Sequence, residues 1–271
     1  MSLDPGVLRL QGVDVAYRMS GPPTGSPVVL IHGWASSNRM WDALIAGLAD
    51  TYRCVAPDLP GHGDSTKPPL DWYTIDHFAG IVAELCQALD LGRVALIGHS
   101  MGGTIALALA ANGGADLSEV IAINPVITGR FTSGGVLGSR VVRPLAGVTR
   151  RAWPMATRLM RRAPGVGRAW PNIWRRMRED MGRTSGDAAV GSIRAVRGCD
   201  LSGELERIRI PVLIMVGERD RTVPASEGRL AAQRIPSARM LSLPAGHHPH
   251  DESPQEFLGA LRSFLPVARA A

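Results

Sequence analysis

The sequence predicts an α/β protein with a mostly parallel central sheet of about eight strands that helices cover on both faces. Two observations predict this class. Strand-like and helix-like segments alternate along most of the chain, which is the order that a parallel sheet requires. The later strand segments are short, continuous apolar runs, which are typical of strands buried on both faces. A length of 271 residues suffices for one such domain with an inserted subdomain.

The first two predicted strands form an antiparallel hairpin, in which residues 7–10 pair with residues 13–17 across a turn near Gly12. Buried strands are predicted at residues 28–31, 52–56, 94–97, 120–123, 212–216 and 239–243. Helices are predicted between them at about residues 40–48, 74–89, 101–111, 226–234 and 254–265. In the longest helix, apolar side chains recur at helical spacing from Ile75 to Leu89, which indicates a face directed toward the core.

Residues 126–209 interrupt this alternation, because they contain no convincing strand and are rich in Arg, Trp and Met. We therefore expect a core of residues 1–125 and 210–271, with a helical subdomain of residues 126–209 inserted after the sixth strand. Ile173, Trp174, Met177 and Met181 form an apolar stripe with arginines on the opposite face. This pattern predicts at least one amphipathic helix in the insertion.

The insertion carries the positive charge of the protein. Residues 128–200 contain fifteen arginines and four acidic residues, a local charge of +11, which leaves the rest of the chain at −5 within a total of +6. A solvated cationic face without a partner is the favoured interpretation. An anionic substrate, an acidic carrier protein or an anionic lipid surface is the alternative. Nucleic acid is disfavoured, because no recognition module accompanies the charge.

Cysteine usage and hydropathy argue against several classes of protein. Cys54, Cys86 and Cys199 lack the pairing that a zinc site or a disulfide scaffold needs. The longest apolar runs have the length of strands, so no transmembrane helix is predicted. The first residues show no secretory signal, which makes the cytoplasm the expected compartment. No phosphate-binding loop, metal-ligand cluster or dinucleotide fingerprint is convincing, and we expect no cofactor and no metal.

A G-x-S-x-G motif stands at residues 98–102, directly after a predicted strand and before an Ala/Leu-rich helix. A nucleophilic serine needs a sharp turn that exposes its hydroxyl, and the flanking glycines leave room for the chain to fold back. The helix that follows directs its N-terminal N–H groups toward the negative charge that develops in the reaction. Ser100 is therefore the candidate nucleophile. The adjacent His99 is interpreted as structural, because neighbouring side chains in a tight turn point apart.

At these residues the chain resembles the α/β-hydrolase family, and the resemblance covers nearly the whole predicted core. Four further segments carry it, in the order that the family shows. They are the oxyanion loop at His32 and Gly33, the loop at residues 58–65, the acid loop at residues 217–224 and the histidine loop at residues 246–254. The resemblance implies the α/β-hydrolase fold, with the inserted segment as a helical cap over the active site.

A serine hydroxyl is a weak nucleophile near neutral pH, so a base must take its proton during attack. Histidine suits this role, because its unperturbed pKa of about 6.5 lets it accept and return a proton. By resemblance this base is His247, which follows the last predicted strand and Gly246. The base needs a carboxylate that fixes its tautomer, and the resemblance favours Asp220 over the nearby Glu218. Some family members place this acid after the sixth strand, where this chain has Asn124.

The resemblance also assigns the oxyanion hole to the backbone N–H groups of Trp34 and Met101. Six side chains are expected to contact the substrate: His32, Trp153, Trp174, Met177, Val223 and His248. Further apolar candidates for the pocket are Met155, Met160, Trp170 and Met181, since methionine and aromatic side chains form adaptable walls. The alternative is that most of the side chains from the insertion simply pack it onto the core, and for His32 the favoured interpretation is a hydrogen-bonding group that stabilises its loop. His250 is interpreted as a loop-packing group.

A serine nucleophile favours acyl transfer to water, since the dehalogenases and epoxide hydrolases of the family carry an aspartate at that position. We expect a carboxylesterase-like enzyme that cleaves a small-molecule ester through an acyl-enzyme intermediate. A thioesterase or lactonase is the nearest alternative, followed by a carbon–carbon bond hydrolase, a cofactor-free perhydrolase and a hydroxynitrile lyase. A non-catalytic small-ligand receptor is the alternative of another class. Both a monomer and a dimer are compatible with the sequence.

Overall fold

An eight-stranded sheet organises the part of the chain that the computed structural model describes, which is residues 3–132, 146–162 and 171–265. The strand order is β1-β2-β4-β3-β5-β6-β7-β8, in which β2 pairs antiparallel with both β1 and β4 and the remaining neighbours are parallel. This confirms the predicted α/β-hydrolase fold. The strands are β1 Asp4–Leu10, β2 Val13–Ser20, β3 Ser26–Ile31, β4 Tyr52–Pro57, β5 Val94–His99, β6 Leu117–Ile123, β7 Val212–Gly217 and β8 Ala238–Leu243.

Helices connect the parallel strands and cover the sheet. They are α1 Asp42–Leu48, α2 Ile75–Ala88, α3 Met101–Asn112, α4 Ala146–Arg162, α5 Pro171–Gly182, α6 Gly186–Gly198, α7 Ala225–Arg234, α8 Pro249–Glu252 and α9 Pro254–Phe264. The predicted helix at 40–48 begins instead as a 3₁₀ turn at Asn38–Trp41, which the Ser37 hydroxyl caps. None of the helices in the described ranges combines the length and hydropathy that crossing a bilayer requires.

The predicted hairpin is present at one edge of the sheet. Leu10 pairs with Val13 across a two-residue turn, in which Gln11 and Gly12 have φ values of 44° and 79°. Positive φ at both central positions is the turn geometry whose twist matches that of a hairpin. Glycine reaches this conformation without a steric penalty, which is why the turn falls at residue 12.

The sheet separates two apolar layers, and β3 shows why its sequence is a continuous apolar run. Successive side chains of a strand point to opposite faces. Val29 and Ile31 therefore belong to the cluster that contains α2 and α3, while Val28 and Leu30 belong to the cluster on the other side with α1 and α9. All four side chains are fully buried, so both faces of this strand are covered.

The parallel strands bring their carboxyl ends to one edge of the sheet, where open α/β folds place their sites. The loops that follow β3, β5, β7 and β8 carry the four predicted elements of chemistry: the oxyanion loop, the elbow at Ser100, the acid loop and the histidine loop. The fold therefore gathers residues that lie up to 215 positions apart, from His32 to His247.

Helices α4–α6 lie between β6 and β7, at the predicted point of insertion. No strand interrupts the described parts of residues 126–209. The ends of this segment pack into the main core, because Ile127, Leu205 and Ile208 are buried in the same cluster as the sheet. From α6, Ala188 and Val196 join that cluster as well. Packing therefore shows no clean separation at residues 126 and 209.

Candidate active site

Ser100 occupies a strained turn between β5 and α3. Its φ and ψ are 53° and −117°, a region that costs free energy for a side chain with a Cβ and that is found mainly at functional sites. Close packing holds the turn. A Cβ on Gly98 would collide with the carbonyl of Gly102, and a Cβ on Gly102 would collide with the carbonyl of Ile31. The two glycines of the motif are therefore required by the backbone contacts that they allow.

His247 and Asp220 meet through a hydrogen bond of 2.7 Å between Nδ1 and Oδ2. The other oxygen of Asp220 accepts the backbone N–H groups of Thr222 and Val223 at 2.7 and 3.0 Å. The carboxylate side chain is 1% exposed, so its orientation is fixed by these three bonds. Because a carboxylate accepts, Nδ1 of the neutral ring carries the proton and Nε2 has the free lone pair.

Glu218 and Asn124 occupy the two other positions at which the sequence could place the acid, and neither contacts the His247 ring through a hydrogen bond in the structure. Glu218 is exposed, and the bond to His247 comes from Asp220. Asn124 follows β6 and joins the acid and histidine loops: its Oδ1 accepts the Gly217 N–H at 2.8 Å, and its Nδ2 donates to the His247 carbonyl at 3.1 Å. The sequence marks this position only as a second place for the acid, and its role as a brace was missed.

The backbone of the histidine loop is held from two further sides. His99 donates from Nε2 to the carbonyl of His247 at 2.7 Å. Glu252 accepts the N–H groups of Gly246 and His248 at 2.8 and 3.0 Å. Sequence reasoning placed Glu252 in the loop but gave it no function, because a carboxylate that binds backbone groups has no spacing signature. His99 has a structural role here, in agreement with its interpretation.

His32 orients the peptide that carries the Trp34 N–H. Nε2 of His32 accepts the Leu59 N–H at 2.9 Å, so Nδ1 is protonated and donates to the carbonyl of Gly33 at 2.8 Å. In a trans peptide the carbonyl and the N–H point in opposite directions, so this bond turns the Trp34 N–H away from His32. Burial lowers the pKa of His32 and keeps the ring neutral.

The Met101 N–H is the other predicted donor of the oxyanion hole. Met101 is the first residue of α3, and the N–H groups of a first helical turn have no partner within the helix. They lie at the positive end of the helix dipole, next to Ser100. The backbone at this point therefore offers a donor to negative charge on a group bound to the serine.

A cavity of about 640 Å³, counting its opening to solvent, joins these elements. Ser100 and His247 both line it, together with the oxyanion loop. Its described walls are formed by Gly33, Trp34, Ala35, Ser36, His99, Ser100, Met177, Met181, Thr222, His247 and His248. Two of the six side chains expected to contact substrate, Met177 and His248, are in these walls. Ala35, Ser36 and Thr222 were missed, although each belongs to a loop that the resemblance marked or to its direct continuation.

The other four expected side chains are not among the described walls of this cavity. His32 is fully buried under the oxyanion loop, and Val223 is buried in the main core. Trp153 packs edge-on against Trp34 and donates from its indole to the carbonyl of Thr184, so it joins α4 to the core. Trp174 lies on the exposed side of α5.

The further apolar candidates of the insertion also separate. Met181 lines the cavity with Met177, whereas Met155 and Met160 are exposed on α4. Trp170 lies outside the described residues. The contrast shows that packing of the insertion onto the core accounts for some of these side chains and the cavity wall for others.

Three polar contacts fasten α5 to the core, and we call them the α5 ties. Arg176 pairs with Asp251, Asp180 accepts the Ser37 hydroxyl at 2.7 Å, and Arg183 pairs with Asp64. Met177 and Met181 lie among the tied residues, so these contacts set the position of that wall. Burial raises the pKa of Asp180, while Arg183 lowers the pKa of Asp64.

A sheet of this topology with a strained serine and a His–Asp pair at its carboxyl edge defines the class of α/β hydrolases. The chain belongs to this family: the model of the alpha/beta hydrolase family matches residues 28–260.

Among curated proteins, the chain is similar to the magnesium-chelatase 30 kDa subunit of Rhodobacter capsulatus, at 30% identity over 256 residues, which cover 91% of this chain and 89% of that protein. Among solved structures, it is similar to the esterase RhEst1 from a Rhodococcus species, with a TM-score of 0.79, 26% identity and coverage of 97% and 98% of the two chains. The enol-lactonase of Burkholderia xenovorans gives a TM-score of 0.81 at 25% identity, with coverage of 96% and 99%.

Proposed function

We propose that this protein is a serine hydrolase that cleaves carboxylic ester bonds through an acyl-enzyme intermediate. One observation carries the proposal: a serine in a strained turn and a histidine that is hydrogen-bonded to a buried aspartate line the same cavity. Strain of this kind at a serine is typical of a nucleophile, and a histidine oriented by a buried carboxylate is typical of its base. Similarity to an esterase and to an enol-lactonase supports ester chemistry.

In the acylation step, Oγ of Ser100 bonds to the ester carbonyl carbon while its proton passes to Nε2 of His247. Asp220 stabilises the imidazolium that forms, because its carboxylate holds the Nδ1 proton. The Trp34 and Met101 N–H groups bind the oxyanion. The C–O bond then breaks, and the leaving alcohol takes the proton from His247. The product is a neutral base and an acylated Ser100.

In the deacylation step, water replaces the alcohol. Its proton passes to His247 as its oxygen bonds to the acyl carbon, and a second oxyanion forms in the same place. The bond to the Ser100 oxygen breaks, the serine takes the proton back from His247, and a carboxylic acid leaves. Ester, thioester and lactone substrates share these two steps, so thioesterase and lactonase activities remain the nearest alternatives.

The cavity favours a small, uncharged acyl group. Among the described residues of its walls there is no arginine, lysine, aspartate or glutamate. Met177 and Met181 provide an apolar, adaptable surface opposite the backbone groups of the oxyanion loop. None of the described arginines of the insertion lines this cavity, so they do not contact an acyl group bound there.

Turnover of p-nitrophenyl butyrate by the wild type and by Ser100→Ala tests the proposal. We expect the variant to lose at least about 10³-fold in kcat, because loss of a triad member leaves only residual catalysis. A fluorophosphonate should label the wild type at Ser100 and leave the variant unlabelled. Ser263→Ala is the matched control, since Ser263 is exposed on α9 and far from the cavity in the fold. Equal turnover in wild type and Ser100→Ala would refute the proposal.

A second candidate is ligand binding without turnover. The Rhodobacter capsulatus relative favours it, because that protein is named as a subunit of magnesium chelatase and not as a hydrolase. A panel of acyl esters, lactones and acyl-CoA thioesters separates the two candidates. No turnover of any activated ester, combined with saturable binding of a small ligand in the cavity, would favour the second candidate over the first.

A further inference from the structure

Three histidines cluster behind the His–Asp pair. The ring centroids of His99 lie 4.9 Å from those of His248 and 5.1 Å from those of His250, and the last two are 5.6 Å apart. One ring nitrogen from each residue lies within 4.8 Å of the other two. The cluster joins the end of β5 to the histidine loop and α8, so the fold brings together residues about 150 positions apart.

The hydrogen bond of His99 fixes its tautomer in the form that binds metals. Nε2 faces the carbonyl of His247 at 2.7 Å, and a carbonyl only accepts, so Nε2 carries the proton. Nδ1 therefore has a free lone pair. Metal-binding histidines commonly donate their other N–H to a backbone carbonyl in this way. The His99 ring packs closely against Gly33, where a Cβ would lie only 2.9 Å from Nδ1.

The neighbouring rings also hold nitrogens without hydrogen bonds. Nδ1 of His99, Nδ1 of His248 and both nitrogens of His250 are buried and have no hydrogen-bond partner. A buried polar atom without a hydrogen-bond partner is energetically unfavourable. Burial lowers the pKa of His99 and of His248 well below the ordinary value, so their rings are neutral and able to bind a cation.

The carboxylate of Asp251 lies beside the cluster, with Oδ2 3.3 Å from Nε2 of His250. A carboxylate behind a ligating histidine is a common partner in metal sites. His99 and His248 both line the cavity, so the cluster lies directly behind its wall. The cluster therefore has three nitrogen ligands and outer partners for two of them.

We propose that His99, His248 and His250 bind a divalent late-transition-metal ion of the Zn²⁺ class. Three imidazoles leave one position of a tetrahedral zinc open for water. In a tetrahedral site, Zn–N bonds of about 2.0–2.1 Å place two ligand atoms about 3.4 Å apart, so nitrogens that lie within 4.8 Å of one another approach by up to about 1.4 Å on binding. Rotation of the three ring side chains supplies this adjustment.

The bound ion would inhibit the proposed ester hydrolysis. This consequence rests on the proposed function, whereas the metal site itself does not. The His247 ring lies 4.8 Å from the His99 ring and 5.3 Å from the His248 ring. His247 must become an imidazolium during ester cleavage, and a nearby dication opposes that charge. The site would thus make hydrolysis sensitive to free zinc without any part for the metal in the chemistry.

Binding is tested with Zn²⁺ by calorimetry and with Co²⁺ by visible absorption, on chelator-treated protein. We expect one ion per chain, with affinity reduced at least about tenfold in His250→Gln and in His248→Gln. His77→Gln is the matched control, since His77 is exposed on α2, and it should bind like the wild type. His247→Gln should also keep its zinc, which separates this cluster from the His–Asp pair. Thermal melts confirm that each variant is folded.

The outcomes are distinct. Absence of stoichiometric binding, or wild-type affinity in both His248→Gln and His250→Gln, would overturn the proposal. Loss of binding in His247→Gln alone would overturn it as well, because the ion would then sit on the catalytic pair. Binding to the cluster by a protein that hydrolyses no ester would leave the metal site standing and refute the proposed function instead.

Discussion

The loops around His247 and the helix α5 both position residues that line the cavity, but different kinds of bonds hold them. The acid and histidine loops are held by backbone groups: Asp220 accepts two N–H groups, and the His247 carbonyl accepts from His99 and Asn124. Helix α5 is held by side chains, two ion pairs and one serine–carboxylate bond. The loop contacts join buried side chains to backbone groups, so salt screens them little, whereas the ion pairs of α5 lie nearer the surface and respond to salt as well as to pH.

The difference teaches where this protein tolerates change. The geometry of the serine, histidine and aspartate depends on the sheet and on loops that directly follow its strands. The wall formed by Met177 and Met181 depends on a helix that touches the core through a few side chains. Catalysis and selectivity are therefore separable, and variants in the two regions should move different kinetic parameters.

The largest expected effect is on the loop side, in Asp220→Asn. The amide keeps the size of the carboxylate but presents a donor to Nδ1, so it favours the wrong tautomer of His247. We expect a loss of about 10³–10⁴-fold in kcat with a small change in KM. Steady-state kinetics with p-nitrophenyl butyrate measures it.

Glu218→Gln is the control for that substitution, because it removes a carboxylate from the same loop at an exposed position. It should stay within a few-fold of the wild type. If Asp220→Asn and Glu218→Gln lost equal activity, the effect would not be specific to the carboxylate that is hydrogen-bonded to His247. The proposed difference between the two regions would then be contradicted.

A smaller effect is expected on the other side of the comparison, in Arg176→Gln. The variant breaks the pair between Arg176, whose side chain is 22% exposed, and Asp251, whose side chain is 12% exposed. It should thereby loosen the part of α5 that carries Met177. We expect KM to rise about three- to tenfold, equivalent to about 1 kcal/mol, with kcat nearly unchanged.

Arg175→Gln is the matched control, because Arg175 is exposed on the same helix and the substitution also removes one positive charge. It should keep the wild-type KM. A fall in kcat with constant KM in Arg176→Gln would contradict the separation of wall and catalysis, because it would mean that α5 also positions the reacting groups.

The fold and the positions of Ser100, Asp220 and His247 at the ends of its strands were largely predictable because they depend on local patterns. Strand β7 spans Val212–Gly217 against a prediction of 212–216, since a buried parallel strand is a short apolar run. Strand β6 begins at Leu117, three residues before its prediction, because Ser118 and the buried Glu119 break the apolar run. The contact between Asp220 and His247 followed from motifs next to strand ends.

The cavity wall was less predictable because it depends on how distant elements pack. Trp174 and Met177 share one helical stripe in the sequence, yet Trp174 lies on the exposed side and Met177 lines the cavity. The approach of His99 to His250 likewise comes from the sheet bringing two loops together, and no spacing in the chain announces it. Side-chain braces such as Asn124 have the same origin.

The smallest effect tests the pH response of the α5 ties through Asp180→Asn. Burial raises the pKa of Asp180, so its ionised form lowers stability above that pKa, and the penalty disappears as pH falls through it. Asparagine keeps an acceptor for Ser37 and does not titrate. The free energy of unfolding of the variant should therefore exceed that of the wild type at pH 7. Urea titrations should show that this difference shrinks toward pH 4.

Asp64→Asn reverses the sign within the same set of contacts. Arg183 lowers the pKa of Asp64, so this carboxylate stabilises the fold above its ordinary pKa, and the contribution is lost as pH falls. Because the Asp64 side chain is mostly exposed, its loss should be smaller and should fade in high salt. If the stability differences of the two variants from the wild type change in opposite directions with pH, the ionisation of Asp180 and Asp64 accounts for the pH response of the α5 ties. If they change in the same direction, other groups account for it.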